Sequence, residues 1–333
     1  MKKRNVVLAV CAAVGAAVAV KMLTRPRSVN WDDVSDLVPH SDRSHFVNVD
    51  GMQVHYQAFG DRSKPPIILI HGYTASVYVW KTTAPLLADA GFHVIALDLL
   101  GFGFSDKPSW FDYSIQSQAR MVSRFMNRIG IGRATVIGNS YGGAVALTLA
   151  LDYPERVGKL VLVDAVINNG AKNHPILKLV KYRGIGEIVT PFIADSRLFM
   201  RQRMNHTLAR ANHHLITKER IAAIRRPLCS REGHRSLLAT SRAWDASRIE
   251  EDLHLINAPT LIIWGEHDSV IPIKDGHKLH QEILNSRFVV LNDCGHVPQE
   301  EKSELFAELV SEFCRGGKGA VAAKETDDMS VIS

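Results

Sequence analysis

Three polar residues, far apart in the chain, have the types and the order to do chemistry. A serine stands in Gly138-Asn139-Ser140-Tyr141-Gly142-Gly143, an aspartate in Gly265-Glu266-His267-Asp268 and a histidine in Asn292-Asp293-Cys294-Gly295-His296. An isolated serine hydroxyl is a weak nucleophile. It needs a base to take its proton, and the base needs a carboxylate to orient it. With Ser140 as nucleophile, His296 as base and Asp268 as orienting acid, the set would attack a carbonyl carbon through a covalent intermediate.

The elements around these residues fit that work. Ala134-Thr135-Val136-Ile137, Thr260-Leu261-Ile262-Ile263-Trp264 and Phe288-Val289-Val290-Leu291 read as buried strands. Each candidate follows the C-terminal end of one of them, the edge where sites gather in open α/β sheets. Ala144 to Leu151 reads as a helix, so the serine sits on a sharp strand-to-helix turn. Such a turn needs small residues two before and two after the nucleophile, and Gly138 and Gly142 supply them. The free N–H groups of the helix start would face an oxyanion. Asp98, Asp164, Glu266 and Asp293 compete for the acid's role, Asp164 because it ends the strand after the serine. His267, on the acid's own loop, reads as a solvated loop residue among 15 histidines.

Taken together the motifs resemble the α/β-hydrolases, the family of esterases, lipases, perhydrolases and carbon–carbon bond hydrolases. The matching pieces are His71-Gly72-Tyr73 after a strand, Asp98-Leu99-Leu100-Gly101-Phe102-Gly103-Phe104-Ser105, the serine turn, Tyr153-Pro154-Glu155-Arg156-Val157, Trp264 to Asp268 and Gly295-His296-Val297-Pro298. The resemblance covers residues 45 to 315. It implies an α/β fold with a mostly parallel central sheet, helices on both faces and an inserted helical cap. It implies an oxyanion hole made by the backbone N–H groups of Tyr141 and Tyr73. Dehalogenases and epoxide hydrolases of this fold carry aspartate at the turn, so Ser140 argues against both. The main expectation is a serine hydrolase of acyl or lipid-like carboxylic esters, working through an acyl-enzyme without metal or cofactor. The alternative is hydrolysis of a carbon–carbon bond in a dienoate diketone. Residues 134 to 165, Asn139 among them, and Asp293 to His296 resemble those enzymes, with Arg203 or Arg201 available for a substrate carboxylate. They commonly carry tryptophan after the catalytic histidine, where this chain has Val297. A catalytically silent receptor or scaffold is the non-enzyme alternative.

Composition agrees with a soluble-type core: 333 residues, 46% hydrophobic and 22% charged. Four cysteines show neither C-x-x-C pairing nor zinc spacing, and no phosphate-binding loop or dinucleotide fingerprint is present. The core is expected at 45–167 and 249–315, with a cap at 168–248, a polar spacer at 28–44 and a disordered tail at 316–333. A short helix is expected at Trp31 to Leu37, and Asp50-Gly51 between two alternating stretches reads as a hairpin turn. From Lys172 to Arg248 the chain holds 12 Arg and 4 Lys against 5 acids, which suits anionic headgroups or an anionic substrate better than nucleic acid. Val180, Ile185, Ile188, Phe192 and Phe199 are candidates for an acyl pocket.

Residues 1–27 read as a separate module. Lys2-Lys3-Arg4 precedes an uncharged run from Val6 to Val20. Fifteen residues rise about 22 Å as a helix, against a hydrocarbon core of about 30 Å. The expectation is an uncleaved membrane anchor with an exported catalytic domain. A secretory signal cleaved near Ala17-Val18-Ala19 is the alternative. On either reading, residues 1–27 are dispensable for catalysis.

Overall fold

The computed structural model describes residues 15, 16, 20, 24–170, 178 and 180–316. Eight strands form one sheet: β1 (Ser44–Val49), β2 (Met52–Phe59), β3 (Pro66–Ile70), β4 (His93–Leu97), β5 (Ala134–Asn139), β6 (Val157–Val163), β7 (Thr260–Gly265) and β8 (Ser286–Leu291), in the order β1-β2-β4-β3-β5-β6-β7-β8. The first two pairings are antiparallel and the rest parallel. Strands β3, β4 and β7 are buried along nearly their whole length, as parallel-sheet strands covered by helices on both faces are. The Asp50-Gly51 hairpin forms as expected, with φ of 54° and 84° at the two turn residues.

The helices are α1 (Thr83–Asp89), α2 (Ile115–Arg128), α3 (Tyr141–Asp152), α4 (Ile185–Ala194), α5 (Arg197–Thr207), α6 (Lys218–Arg225), α7 (Arg231–Ala243), α8 (Ser247–Asp252), α9 (Ile273–Glu282), α10 (Pro298–Glu301) and α11 (Ser303–Arg315). Helix α2 starts where the Ser114 side chain accepts from the Ser117 N–H, and it buries Met121, Val122, Phe125 and Met126 on one face. Each such side chain contributes about 1.5–3 kcal/mol by leaving water. Helix α3 is buried nearly all round, which its unbroken Ala, Val and Leu content permits. Helices α4 to α8 lie between β6 and β7 in sequence.

The chain turns back at the sheet's centre. From β3 it steps outward to β4, then returns to β5 on the other side of β3. The loops after β3 and β5 therefore flank one crevice, the topological switch point at which ligands bind in such sheets.

The N-terminal module departs from expectation. Among the described residues no helix is long and apolar enough to cross a membrane. The membrane anchor expected at 1–27, and the localisation built on it, are corrected accordingly; most of Val6–Val20 lies outside the described residues. The end of the segment is part of the protein body. Arg25 is 8% exposed and its guanidinium lies 2.6 Å from Asp195. The N–H groups of Arg231 and Glu232 donate to the carbonyls of Pro26 and Arg27. The polar stretch that follows is also packed, with Trp31 stacked edge-on against Phe46 and Phe104. No α-helix forms at Trp31 to Leu37; a 3₁₀ turn at Ser35–Leu37 takes its place. The expected tail lies outside the described residues from 317 onward.

Burial opposes ionisation of Asp195, yet the His234 hydrogen bond and the charges of His234 and Arg25 hold its pKa down at about 2. This stabilisation is present above the ordinary carboxylate pKa of about 4 and is lost as pH falls toward 2. Arg25→Ala should lower the unfolding free energy by about 3 kcal/mol at neutral pH, the low end for breaking a buried pair, since His234 still faces Asp195. Urea denaturation checks this. A loss below about 0.5 kcal/mol, the size of an ordinary surface change, would show that the segment is not docked in solution.

Candidate active site

Ser140 sits at the turn between β5 and α3 with φ 56° and ψ −117°, a conformation most side chains avoid. Packing holds it there. A Cβ at Gly138 would overlap the Gly142 carbonyl, and one at Gly142 would overlap the carbonyls of Ile70 and His71 at the end of β3. The two glycines thus allow the turn to close and the helix to seat against β3.

The structure brings Asp268 and His296 together: His296 Nδ1 lies 2.7 Å from Asp268 Oδ2, with side-chain exposures of 8% and 1%. Asp268 Oδ1 accepts the N–H groups of Val270 at 2.7 Å and Ile271 at 3.1 Å. These bonds fix the carboxylate with one oxygen left to the imidazole. Ser140 and His296 line one cavity of about 450 Å³. No hydrogen bond joins them, a common state without substrate.

The backbone N–H groups of Tyr73 and Tyr141 have no acceptor among the described residues. Unpartnered backbone donors flanking a serine hydroxyl are what an oxyanion would require. The loop carrying Tyr73 is braced by His71, fully buried, whose Nδ1 lies 2.8 Å from the Gly72 carbonyl and whose Nε2 accepts the Leu99 N–H. Burial lowers the His71 pKa against the pull of Asp98, which suits this neutral tautomer.

The competing acids lie elsewhere or face other groups. Asp98 pairs with His55 at 2.7 Å and accepts the N–H groups of Val77 and Phe104, a brace for the loops after β3 and β4. Glu266 and Asp293 are exposed on the turns. His267 is half exposed beside them. Asp164, by contrast, is fully buried, and its carboxyl lies in the same cluster as Asp268 and His296.

The cap helices roof the cavity with apolar side chains, Val180 and Phe199 among them, whereas Ile185 and Ile188 are 44% and 50% exposed. Arg203 on α5 also lines the cavity. Its Nη1 donates to Thr74 Oγ1 at 2.5 Å, and it has no carboxylate partner among the described residues. Burial lowers its pKa to about 10, so it stays cationic at neutral pH. Arg201 is exposed and does not line the cavity. Cys294 is buried and its thiol is pushed far up by burial, which removes it as a nucleophile.

Two further residues hold the site together: Asn139, which the sequence marks only by resemblance, and Glu301, which it does not mark at all. Asn139 Nδ2 donates to the carbonyls of Val163 and His296, tying the histidine loop to the serine turn. Glu301 accepts the N–H groups of Gly295 and Ala209 and the Asn212 amide, so one carboxylate holds the histidine loop and the cap. Glu301 carries no signal beyond its position in the first turn after His296.

The family model for the alpha/beta hydrolase fold matches residues 65–184 and 196–303. A 2-hydroxy-6-oxononadienedioate/2-hydroxy-6-oxononatrienedioate hydrolase of Burkholderia vietnamiensis is 30% identical over 85% of this chain and 100% of its own length. A meta-cleavage product hydrolase from Pseudomonas fluorescens aligns in structure with a TM-score of 0.69 at 27% identity, over 82% of this chain and 97% of that one. A structure described as a membrane phospholipase A aligns with a TM-score of 0.65 at 26% identity, over 96% of this chain and 100% of that one. With its eight-stranded, mostly parallel sheet and a family match spanning most of its length, the chain belongs to the α/β-hydrolase fold family.

Proposed function

We propose that the protein is a serine hydrolase that cleaves a carbon–carbon bond beside a ketone in a substrate bearing a carboxylate, of the dienoate type named for its relatives. The observation that carries this reading is Arg203, a partly buried cation without a carboxylate partner among the described residues, in the cavity that holds Ser140. A cation drawn partly out of water gains from a partner, and a substrate carboxylate would supply the missing charge. Ser140 attacks the ketone carbon and His296 takes its proton, while Asp268 holds the imidazolium. The oxyanion rests on the N–H groups of Tyr73 and Tyr141. As the tetrahedral centre collapses, the carbon–carbon bond breaks and its electron pair leaves on the conjugated fragment. That fragment takes the proton from His296. Water, deprotonated by His296, then releases the acyl group from Ser140.

A second reading is the hydrolysis of carboxylic esters by the same residues. Val297 favours it, because the carbon–carbon hydrolases commonly carry tryptophan there. So does the apolar lining of the cavity, which suits an acyl chain. The two readings differ only in the leaving group. Assay of purified protein on a dienoate ketone, beside esters of graded chain length, separates them. Turnover of esters alone would overturn the first reading.

Ser140→Ala should fold normally and lose turnover by several orders of magnitude, together with labelling by a fluorophosphonate probe. Near wild-type activity would remove Ser140 as nucleophile. Asp268→Asn favours the wrong imidazole tautomer and should cost about 10⁴-fold in kcat. Steady-state kinetics check it, and a loss below tenfold would move the acid's role elsewhere. Arg203→Met should raise KM for a carboxylate-bearing substrate by at least about 30-fold, the ~2 kcal/mol of a buried charge pair. A neutral ester should be affected far less. Equal effects on both would mean that Arg203 only braces Thr74.

A further inference from the structure

The carboxyl group of Asp164 lies beside Asp268 and His296 without a role in the mechanism above. It ends β6, fully buried, with φ 43°. Its Oδ1 accepts the Gly265 N–H at 2.9 Å, where β7 gives way to the loop carrying Asp268. Its Oδ2 is buried and has no donor among the described residues. Asp164, Asp268 and His296 each place an oxygen or nitrogen within 4.8 Å of the others'.

The groups facing Asp164 are Asp268 and His296, the carboxylate of Glu301 on α10 and the thiol of Cys294. Three of these four are acids, and the one base is already bonded to Asp268. Such a surrounding rejects a second negative charge. An ionised Oδ2 would be a buried acceptor with nothing to accept, opposite another acceptor. A protonated Oδ2 is a donor, and Asp268 is an acceptor within reach. Burial and the charge of Asp268, the two largest influences, both raise the Asp164 pKa and outweigh the Gly265 N–H that lowers it. A cation could in principle join the three side chains. It would have to displace the proton shared by His296 Nδ1 and Asp268 Oδ2 at 2.7 Å.

We propose that Asp164 is a positioning residue of the hydrolytic site: as a neutral carboxylic acid it donates its proton to Asp268 and fixes that carboxylate for His296. Asp268 then receives four donors, from Val270, Ile271, His296 and Asp164, and cannot rotate away from the imidazole as the histidine charges. The inference rests on the triad assignment above.

The test uses full-length protein, with p-nitrophenyl acetate hydrolysis and fluorophosphonate labelling rates measured as functions of pH. Asp164→Asn keeps an acceptor for Gly265 and an N–H donor for Asp268. It should stay within about threefold of wild type, with the acid limb of kcat/KM unmoved, because no charge has been removed. Asp164→Ala removes the donor and should lower kcat roughly 10- to 100-fold with KM little changed, as loss of orientation does. An acid limb that moves down by about one pH unit in Asp164→Asn would show that a second negative charge had been holding the imidazolium, and would overturn the proposal. So would a folded Asp164→Ala with wild-type kcat. If Asp164→Ala fails to fold, the limb of Asp164→Asn still decides. Failure of the triad assignment is seen separately, as Ser140→Ala or Asp268→Asn retaining wild-type rates, and the proposal would fall with it.

Discussion

The seating of α3 against the end of β3 is the contact on which the site depends. Gly142 lies so close to the carbonyls of Ile70 and His71 that no side chain fits between. Because β3 and β5 are parallel neighbours, with Ile70 opposite Gly138, the chain leaving each strand is forced into the same few ångströms. That proximity holds Ser140 in its left-handed conformation, and it brings the loop at Gly72 and Tyr73 to the start of α3. Backbone strain of this kind costs about 1–3 kcal/mol and persists only where its surroundings enforce it. Here the enforcement comes from β strands that are buried on both faces.

The cap is tied to the same loops. Tyr73 donates its hydroxyl to the Leu237 carbonyl on α7, and Arg203 on α5 holds Thr74. The His296 N–H donates to the Thr207 carbonyl at the end of α5, and Glu301 joins Gly295 to Ala209. Each bond contributes about 1 kcal/mol net. Together they make the cap part of the frame of the candidate site rather than a lid laid over it. A movement of α5 large enough to widen the cavity would disturb both the loop at Tyr73 and Thr74 and the histidine loop. The N-terminal segment adds to this frame through Arg25, which reaches Asp195 between α4 and α5.

The fold was legible because its strands are short apolar runs bounded by polar turns. The strands read at Ala134–Ile137 and Phe288–Leu291 span Ala134–Asn139 and Ser286–Leu291, one end of each shifted by two residues. The candidate site at Ser140, Asp268 and His296 was legible because strand ends and a glycine-bounded turn restrict where such residues can stand. What escaped depends on meetings between distant residues. Glu301 contacts Ala209 across 92 positions and Arg25 meets Asp195 across 170, and neither leaves a local pattern. The anchor reading failed in a related way. It drew its boundary by composition through Arg27, whereas Arg25 and the carbonyls of Pro26 and Arg27 are engaged by the cap.

The ambiguity between Asp164 and Asp268 has a physical origin. Strands β6 and β7 are parallel neighbours in register, Val163 opposite Ile263, so the residue after β6 must meet the chain leaving β7. The Asp164 N–H donates to the Ile263 carbonyl, and its carboxyl reaches two residues further, to Gly265. Two acidic residues at the ends of these strands therefore converge on one place, and a sequence can only show that both arrive there. The roles are divided by the loop after Gly265. It carries Asp268 outward to His296 and wraps its Oδ1 with the N–H groups of Val270 and Ile271. Asp164 has no loop to carry it, remains against the strand end, and is left with Asp268 itself as its neighbour.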